Sequence, residues 1–273
     1  MDKNALKKLQ KTEFEILLEI VRICEKHNLM YFLIGGTLLG AIRHKGFIPW
    51  DDDLDIAMPR KDYTKFLDIC KDDLHPNYFL HCTKTDKTYW QPFAKIKKNG
   101  TVFEQDAHVA INTHKGIFVD IFPLDNACKQ KSIVQYFQAL TTKSIRTILI
   151  YKRGLIIKKK KIFLRIISFL VSPLPICLMT QIQEKIMRYN TNPQSRFFIN
   201  LASNYNYTKQ TIPKEDYLPP QRVVFEGMLF NAPNNWNYIL TRIYGDYMKL
   251  PPPEKRSTHQ PVRIIFGDEP QSL

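Results

Sequence analysis

The chain has 273 residues, of which 44% are hydrophobic and 12% aromatic, a composition typical of a folded protein rather than a disordered one. The net charge of +14 is unevenly distributed, because residues 126–183 contain eleven Lys or Arg and no acid, which leaves +3 for the rest. Five cysteines, an odd number without a C-x-x-C pair, argue against a disulfide framework or a zinc ribbon and favour a reducing cytoplasm.

The N-terminal segment is polar, and Met1–Gln10 lacks the apolar core that a secretory signal requires. Apolar side chains then recur with helical spacing from Leu6 to Cys24. We therefore predict an amphipathic helix over Asn4–His27 and a cytoplasmic protein.

A glycine pair follows the first predicted strand, Tyr31–Ile34. Gly35 and Gly36 close this strand, and Thr37 is expected to cap a helix that continues to Arg43. A strand, a glycine turn and a helix N-terminus together form an arrangement that suits phosphate binding.

Four acids stand within five positions at Asp51, Asp52, Asp53 and Asp55, a crowding that is unfavourable without a cation or solvent. Alternating polar and apolar residues predict a strand over Asp53–Met58, with Asp53 and Asp55 on one face. A helix is predicted over Arg60–Cys70.

A second acid, Asp120, is embedded in an apolar strand predicted over Gly116–Phe122. If the two acidic strands are neighbours, about 4.8 Å apart, Asp53, Asp55 and Asp120 can converge on one divalent cation. Carboxylate oxygens suit Mg²⁺ or Mn²⁺. The alternative is a solvated acidic loop, with Asp120 simply meeting a lysine. An EF-hand is excluded because Ile56 occupies the position where its loop needs glycine.

Further strands are predicted at Tyr78–Cys82 and Phe93–Lys97, so the first part of the chain mixes helices and strands in an α/β or α+β sheet domain. Lys95 and Lys97 alternate on the second of these strands and could face phosphate together, although solvent exposure is favoured. Arg43 and His44, between the glycines and the acids, are candidates for holding a diphosphate, with a solvated helix end as the alternative.

A basic and mostly helical segment, 129–189, follows the predicted core, 1–128. Its apolar run Ile166–Met179 has 14 residues and two prolines, too short for a membrane span. We predict peripheral contact of Ile156–Leu174 with an anionic membrane, because lysines 158–161 precede an apolar stretch. A plain surface helix is the alternative. Nucleic acid is not an expected partner, since no binding motif accompanies the charges.

The remaining segment, 190–273, alternates proline-rich loops with short elements and is predicted to cap the core. Tyr244, Asp246, Arg256 and His259 are candidates for shaping a substrate pocket there. The competing interpretation of Tyr244-Gly245 is a helix end with a packing role.

Three blocks of the chain are similar to the LicD family. The first block, Gly35–Tyr63, reads GGTLLGAIRHKGFIPWDDDLDIAMPRKDY and resembles the family signature. The second is KGIFVDIFPLD at Lys115–Asp125. The third begins with VFEG at Val224, includes YGDYMKLPP, which ends at Pro252, and continues to His259. This family includes bacterial phosphocholine transferases that act on lipopolysaccharide or teichoic acid, and it is related to the fukutin-related ribitol-phosphate transferases.

The resemblance implies an α+β, nucleotidyltransferase-like mixed sheet with flanking helices, a basic helical insertion and a C-terminal cap. It implies that Asp53, Asp55 and Asp120 are catalytic, with Asp53 and Asp55 as metal ligands and Asp120 as the third carboxylate, serving either as third metal ligand or as general base. Asp51 matches a further acidic position of the motif and is a candidate metal ligand. The expected reaction is transfer of a phospho-alcohol, phosphocholine above all, from a CDP-linked donor to a glycan or lipid-linked glycan acceptor. The enzyme would then work at the inner face of the cell membrane.

Two other functions stay open at this point. The same fold supports transfer of a nucleoside monophosphate with release of pyrophosphate. A non-catalytic protein that binds membrane or nucleic acid, with structural acids, is the third possibility.

Overall fold

A computed structural model describes residues 1–105, 113–128, 132–153, 173–189, 192, 194–256 and 261–267. The helices in these ranges are α1 (Lys3–Lys26), α2 (Gly35–His44), α3 (Arg60–Asp73), α4 (Ile133–Lys152), α5 (Ile176–Met187), α6 (Tyr207–Gln210) and α7 (Trp236–Tyr244). The strands are β1 (Phe32–Leu33), β2 (Asp55–Pro59), β3 (Tyr78–His81), β4 (Ala94–Lys98), β5 (Val102–Glu104), β6 (Phe118–Ala127), β7 (Phe197–Ile199), β8 (Thr211–Pro213), β9 (Gln221–Phe225), β10 (Met228–Ala232) and β11 (Arg263–Ile265).

A mixed sheet in the order β1-β2-β6-β4-β3 organises the fold. β2 and β6 run parallel, and the other pairs in this row are antiparallel. β7 pairs with the end of β6, and β8 pairs with β7, so strands from the C-terminal segment extend the same sheet. The predicted α+β class is confirmed, with helices flanking a mixed sheet of the nucleotidyltransferase type.

Helix α1 covers the sheet with its apolar face, as its periodicity predicts. Leu9, Ile16 and Ile20 are fully buried, and the helix contacts α3, β4 and β6. Asp2 caps the helix, because its Oδ1 accepts from the backbone N–H of Asn4 and Ala5, both at 2.8 Å. The sheet is thus closed on one side by a helix of 24 residues.

The β9–β10 hairpin packs into this same core. Phe225 and Phe230 are buried, with Phe47 at 4.9 Å from Phe225 and Phe14 at 5.9 Å from Phe230 between ring centroids. Part of the predicted cap therefore shares its hydrophobic core with the N-terminal helix.

Two boundaries near the glycine turn differ from prediction. α2 begins at Gly35, so Thr37 lies inside the helix and is not its cap. Its hydroxyl oxygen instead accepts from the N–H of Asp55 at 2.8 Å. β2 begins at Asp55, which leaves Asp53 in the preceding loop, where Gln10 donates to the backbone carbonyl of Asp51 at 2.9 Å. Contacts from α1 and α2 thus shape this loop, and strand alternation does not.

Within the basic segment, α4 and α5 pack against each other and against Trp90, through Ile148, Leu149 and Met179. Most of the predicted membrane segment Ile156–Leu174, including lysines 158–161, lies outside the described residues. Among the helices that are described, none is both long and apolar enough to span a bilayer.

Candidate active site

The N-terminus of α2 lies against two of the acids, and glycine makes this approach possible. A Cβ on Gly35 would stand 3.1 Å from Asp55 Oδ2, and one on Gly36 would stand 2.6 Å from Asp51 Oδ2. Gly35 also has a φ of +57°, which side chains rarely adopt. The free N–H groups and dipole of a helix N-terminus favour negative charge. The absence of side chains on the two glycines therefore leaves room for the carboxylates of Asp55 and Asp51 at the helix N-terminus.

A row of polar side chains crosses four strands of the sheet at one register. Asp55 of β2 pairs with Asp120 of β6, which pairs with Lys95 of β4, which pairs with His81 of β3. Neighbours in one register row point to the same face of a sheet. The two acidic strands are thus neighbours, which was the condition for their acids to converge. Lys95 Nζ donates to Asp120 Oδ1 at 2.5 Å.

Repulsion between like charges is concentrated around Asp55. Burial, followed by the charges of Asp53, Asp120 and Asp51, raises the pKa of Asp55 well above its usual range. Burial and the neighbouring charges of Asp53 and Asp52 likewise raise the pKa of Glu13 on α1. Glu13 is 2% exposed, and its Oε2 has no hydrogen-bond partner among the described residues.

The chemistry of these donors fits a hard divalent cation, because carboxylate oxygens are its preferred ligands and a cation would relieve their repulsion. In the part of the chain that the structure describes, no three acid, histidine or cysteine side chains are already arranged to hold a metal ion.

A cavity of about 790 Å³ opens over this row. Its volume falls within the range of about 300–1,000 Å³ typical of small-molecule sites. The cavity brings together nine of the residues singled out in the sequence: Gly35, Gly36, Asp51, Asp53, Asp55, Lys95, Lys97, Asp120 and Tyr244. Their roles in catalysis and substrate binding stay predictions.

The two lysines of β4 differ from expectation, since both are largely buried. Lys95 and Lys97 side chains are about 13% and 7% exposed. Lys95 is held over the Phe118 ring at 3.4 Å from its centroid. Lys97 Nζ donates to the carbonyl of His114, and burial together with Lys95 lowers the pKa of Lys97 to about 7. The cause is the sheet, because both side chains point to the face that the cavity covers.

Six predicted residues, Thr37, Arg43, His44, Asp246, Arg256 and His259, lie away from the cavity lining or outside the described residues. Arg43 donates to His44 Nε2 at 2.9 Å and to the carbonyl of Tyr247 at 2.7 Å, and Arg256 lies 4.4 Å from the Trp50 ring. Asp246 is exposed in the turn after α7. Thr37 is buried behind Asp55, and His259 lies outside the described residues.

Tyr244 satisfies both interpretations made of it. α7 ends at Tyr244 with Gly245 in a positive-φ conformation, and the Tyr244 ring also lines the cavity. It contacts Tyr205 at 5.8 Å between ring centroids, in an edge-on arrangement. Helix termination and a place in the cavity wall are therefore compatible.

Sequence reasoning missed several residues of this site. They are Glu13, His81, Tyr89, Arg146 and the loop Ala202–Tyr205. Glu13 carried a usable signal, because an acid there interrupts the apolar face between Leu9 and Ile16. Arg146 carried none, since it is one basic residue among eleven in its segment.

Comparisons with known proteins place these residues in a family context. The family described as LicD/FKTN/FKRP, nucleotidyltransferase domain, matches residues 28–163. The lipopolysaccharide cholinephosphotransferase LicD of Haemophilus influenzae is 31% identical over 265 residues, covering 95% of this chain and 97% of that protein. The ribitol 5-phosphate transferase FKRP of Homo sapiens is 44% identical over 43 residues, 16% of this chain and 9% of the human protein. One similarity thus spans almost the whole chain, and the other is local.

Proposed function

The chain belongs to the LicD/FKTN/FKRP family as a LicD-type phosphotransferase, and we propose that it transfers a phospho-alcohol group from a CDP-linked donor to a glycan hydroxyl. The observation that carries the proposal is the pairing of Asp55 with Asp120 beside the glycine-rich N-terminus of α2, at the base of a nucleotide-sized cavity. The group that we favour is phosphocholine, because the relative that aligns over almost the whole chain is named a cholinephosphotransferase.

The reaction we propose is a displacement at phosphorus. A glycan hydroxyl oxygen forms a bond to the phosphorus that bears the alcohol, the bond from that phosphorus to the bridging oxygen breaks, and CMP leaves. The hydroxyl proton passes to solvent, or to Asp120 where that residue serves as the general base instead of as a third metal ligand. Lys95 orients Asp120 by its 2.5 Å hydrogen bond and compensates its charge.

Asp53, Asp55 and Asp120, with Asp51 beside them, are the residues that we propose to hold Mg²⁺ or Mn²⁺. When bound, such an ion neutralises charge on the diphosphate oxygens. The support is the crowding of carboxylates, which raises the pKa of Asp55 through burial and three neighbouring acids.

The acceptor we propose is a cell-surface glycan such as lipopolysaccharide or teichoic acid, reached from the inner face of the membrane. Two features support a location near lipid. α4 exposes Ile133, Phe137 and Leu140 at helical spacing, with exposures of 71%, 57% and 47%. Eleven basic residues without an acid occupy the surrounding segment 126–183.

The test is incubation of the protein with CDP-choline, CDP-ribitol or CDP-glycerol, each with a lipopolysaccharide or teichoic acid acceptor, with and without Mg²⁺. We expect CMP and a modified acceptor in the presence of the cation, most rapidly from CDP-choline. A nucleoside triphosphate in place of the donor tests the alternative. Pyrophosphate release there, without CMP release from any CDP-alcohol, would replace this proposal with nucleotidyl transfer.

A further inference from the structure

We propose that Arg146 of α4 binds a phosphate group of the substrate in the cavity and makes the basic insertion part of the active site. The proposal deepens the proposed function and rests on it for the identity of the ligand as the donor's diphosphate. Arg146 lines the same cavity as Asp55 and Asp120, although its helix also exposes Lys143 and several apolar side chains.

The guanidinium group is fixed in place by two neutral acceptors. Its NH1 donates to the carbonyl of Ala202 and to Asn204 Oδ1, both at 2.9 Å. These bonds tie α4 to the loop Ala202–Tyr205 on the cavity wall. Nε and NH2 donate to no group in the described ranges of the chain, and an arginine has five N–H donors. One edge of the fork therefore remains available to a ligand.

The charge of Arg146 is not matched by an acid. No ion pair among the described residues involves it, and burial lowers the pKa of Arg146 while the charge of Asp120 acts in the opposite direction. Asp120 itself is paired with Lys95. A buried or partly buried charge is costly unless it is paired. An anionic ligand would supply the missing partner.

Lys97 repeats this pattern elsewhere on the cavity wall. Its Nζ donates to a carbonyl, and no ion pair in the described part of the chain includes it. Among the lining residues that the structure describes, Lys97 and Arg146 are thus basic side chains that are not exposed and that no ion pair includes, and they share the cavity with a crowded group of carboxylates. A ligand that carries both phosphates and a bound cation matches this division of charge.

Phosphate suits Arg146 better than a neutral sugar does. A guanidinium group presents parallel N–H donors that match two oxygens of one phosphate, and such charge-assisted bonds are the strong ones. The phosphate could belong to the donor or to a phosphorylated acceptor. The ligands of the experiment are chosen to separate these sources.

The experiment is titration calorimetry of CDP, inorganic pyrophosphate and a hexose 6-phosphate, with Mg²⁺ present, against wild type, Arg146→Gln and Lys143→Gln. Lys143 is exposed on the same helix and is the matched control for loss of one positive charge. We expect Arg146→Gln to weaken CDP and pyrophosphate binding about tenfold or more, because a hydrogen bond to a charged group contributes about 1.5–3 kcal/mol. Lys143→Gln should bind as wild type does.

A second variant separates ligand contact from support of the loop. Asn204→Ala removes one tie to NH1 and leaves the charge of Arg146 in place. We expect it to lose much less affinity than Arg146→Gln. If Asn204→Ala is equally weak, Arg146 acts only through the loop, and the proposal is wrong. Should Arg146→Gln fail to fold, Arg146→Lys keeps the charge at this position. It should bind pyrophosphate more tightly than Arg146→Met, which removes the charge, when both variants are prepared under the same conditions.

The outcomes also separate this proposal from the proposed function. Arg146-dependent binding of CDP without transfer from any CDP-alcohol would retain the phosphate site and reject the reaction. Transfer with unchanged KM for the donor in Arg146→Gln would reject the phosphate site alone. If Arg146→Gln loses affinity only for the hexose phosphate, Arg146 binds the acceptor, and its assignment to the donor is wrong.

Discussion

Asp55 lies where the structure concentrates negative charge, so its neighbouring acids repel its carboxylate. Asp53, Asp120 and Asp51 all raise its pKa, in addition to burial. Thr37 and Gly35 hold it at the N-terminus of α2, where the helix dipole offsets part of this repulsion. A residue kept in this position against repulsion is a candidate for function rather than for stability.

We predict that Asp55→Asn lowers transfer at least about 100-fold, since even loss of an outer-shell partner of a metal costs 10–100-fold in affinity or activity. The same change should raise the melting temperature in EDTA by about a few degrees, because it removes repulsion in the metal-free protein. Activity assays and thermal melts with EDTA and with Mg²⁺ test both parts. Asp53→Asn should likewise abolish transfer.

The control for stability is Asp68→Asn. Hydrogen bonds from Lys84 and Lys71 lower the pKa of Asp68 to about 2, so its charge is favoured in the folded state. This variant should show no rise in melting temperature. Wild-type turnover by Asp55→Asn would remove Asp55 from the metal site.

Lys97 predicts a specific dependence of stability on pH. Its pKa is about 7 in the folded protein and about 10.4 in an unfolded chain. Between these values the unfolded chain binds more protons on this group, so the free energy of unfolding should rise with pH. Lys97→Met removes this contribution. The variant should therefore have the larger free energy of unfolding at the lower end of this pH range, and the difference from wild type should shrink as pH rises.

Urea unfolding at about pH 7.5 and about pH 9.5 measures this change, with a mutational difference expected on the order of 1 kcal/mol between the two conditions. Lys98→Met is the control on the same strand, because Lys98 pairs with Glu15 at 2.7 Å on the other face. A difference in the free energy of unfolding between Lys97→Met and wild type that is equal at both pH values would contradict the prediction.

At the scale of elements, a buried ion pair fixes the start of α3 to the end of β6. Arg60 Nε and NH2 donate to the two carboxylate oxygens of Asp125 at 2.6 and 2.7 Å, and Asp125 is 2% exposed. Burial raises the pKa of Asp125, and Arg60 opposes that shift. The pair also lies beside Glu184 of α5, 3.7 Å from Arg60 NH1. It therefore connects the sheet with the basic segment.

Arg60→Met should destabilise the protein by about 3–5 kcal/mol, because it leaves the Asp125 carboxylate buried without a partner. The double variant Arg60→Met/Asp125→Leu should recover much of this loss. Urea unfolding of wild type, both single variants and the double variant forms the complete cycle. Near-additive losses in the cycle would show that the pair is not coupled.

For the whole molecule, the charge distribution predicts binding to anionic membranes. Lysines 158–161 and the exposed apolar side chains of α4 lie in the same basic segment. Each Lys or Arg near an anionic surface contributes about 1 kcal/mol to the free energy of membrane binding. Sedimentation should show binding to anionic vesicles that weakens with salt, since charges are screened over about 10 Å at 0.1 M.

Two sets of variants test which feature is responsible. Changing lysines 158–161 together to Gln should reduce binding to anionic vesicles and leave zwitterionic vesicles unaffected. Phe137→Gln should weaken binding further, whereas Met248→Gln, at an equally exposed position after α7, should not. Equal partitioning of all variants would mean that the segment is a packed or solvated surface only.

The sequence by itself determined the features that depend on local periodicity and steric rules. Helical spacing defined α1 to within a residue at each end, and the residue pattern predicted two acid-bearing strands, β2 and β6, whose pairing only the structure shows. The glycine pair before the acids was also visible. These signals are local, because side-chain direction along a strand or helix follows from backbone geometry alone.

The tertiary structure alone decided which distant residues complete the cavity. His81, Arg146 and the loop Ala202–Tyr205 reach it from three separate parts of the chain, and Glu13 of α1 is buried near the charges of Asp53 and Asp52. The burial of Lys95 and Lys97 also depends on what covers their face of the sheet. The physical reason is that burial and charge pairing depend on contacts between elements far apart in sequence, which no local pattern of residues encodes.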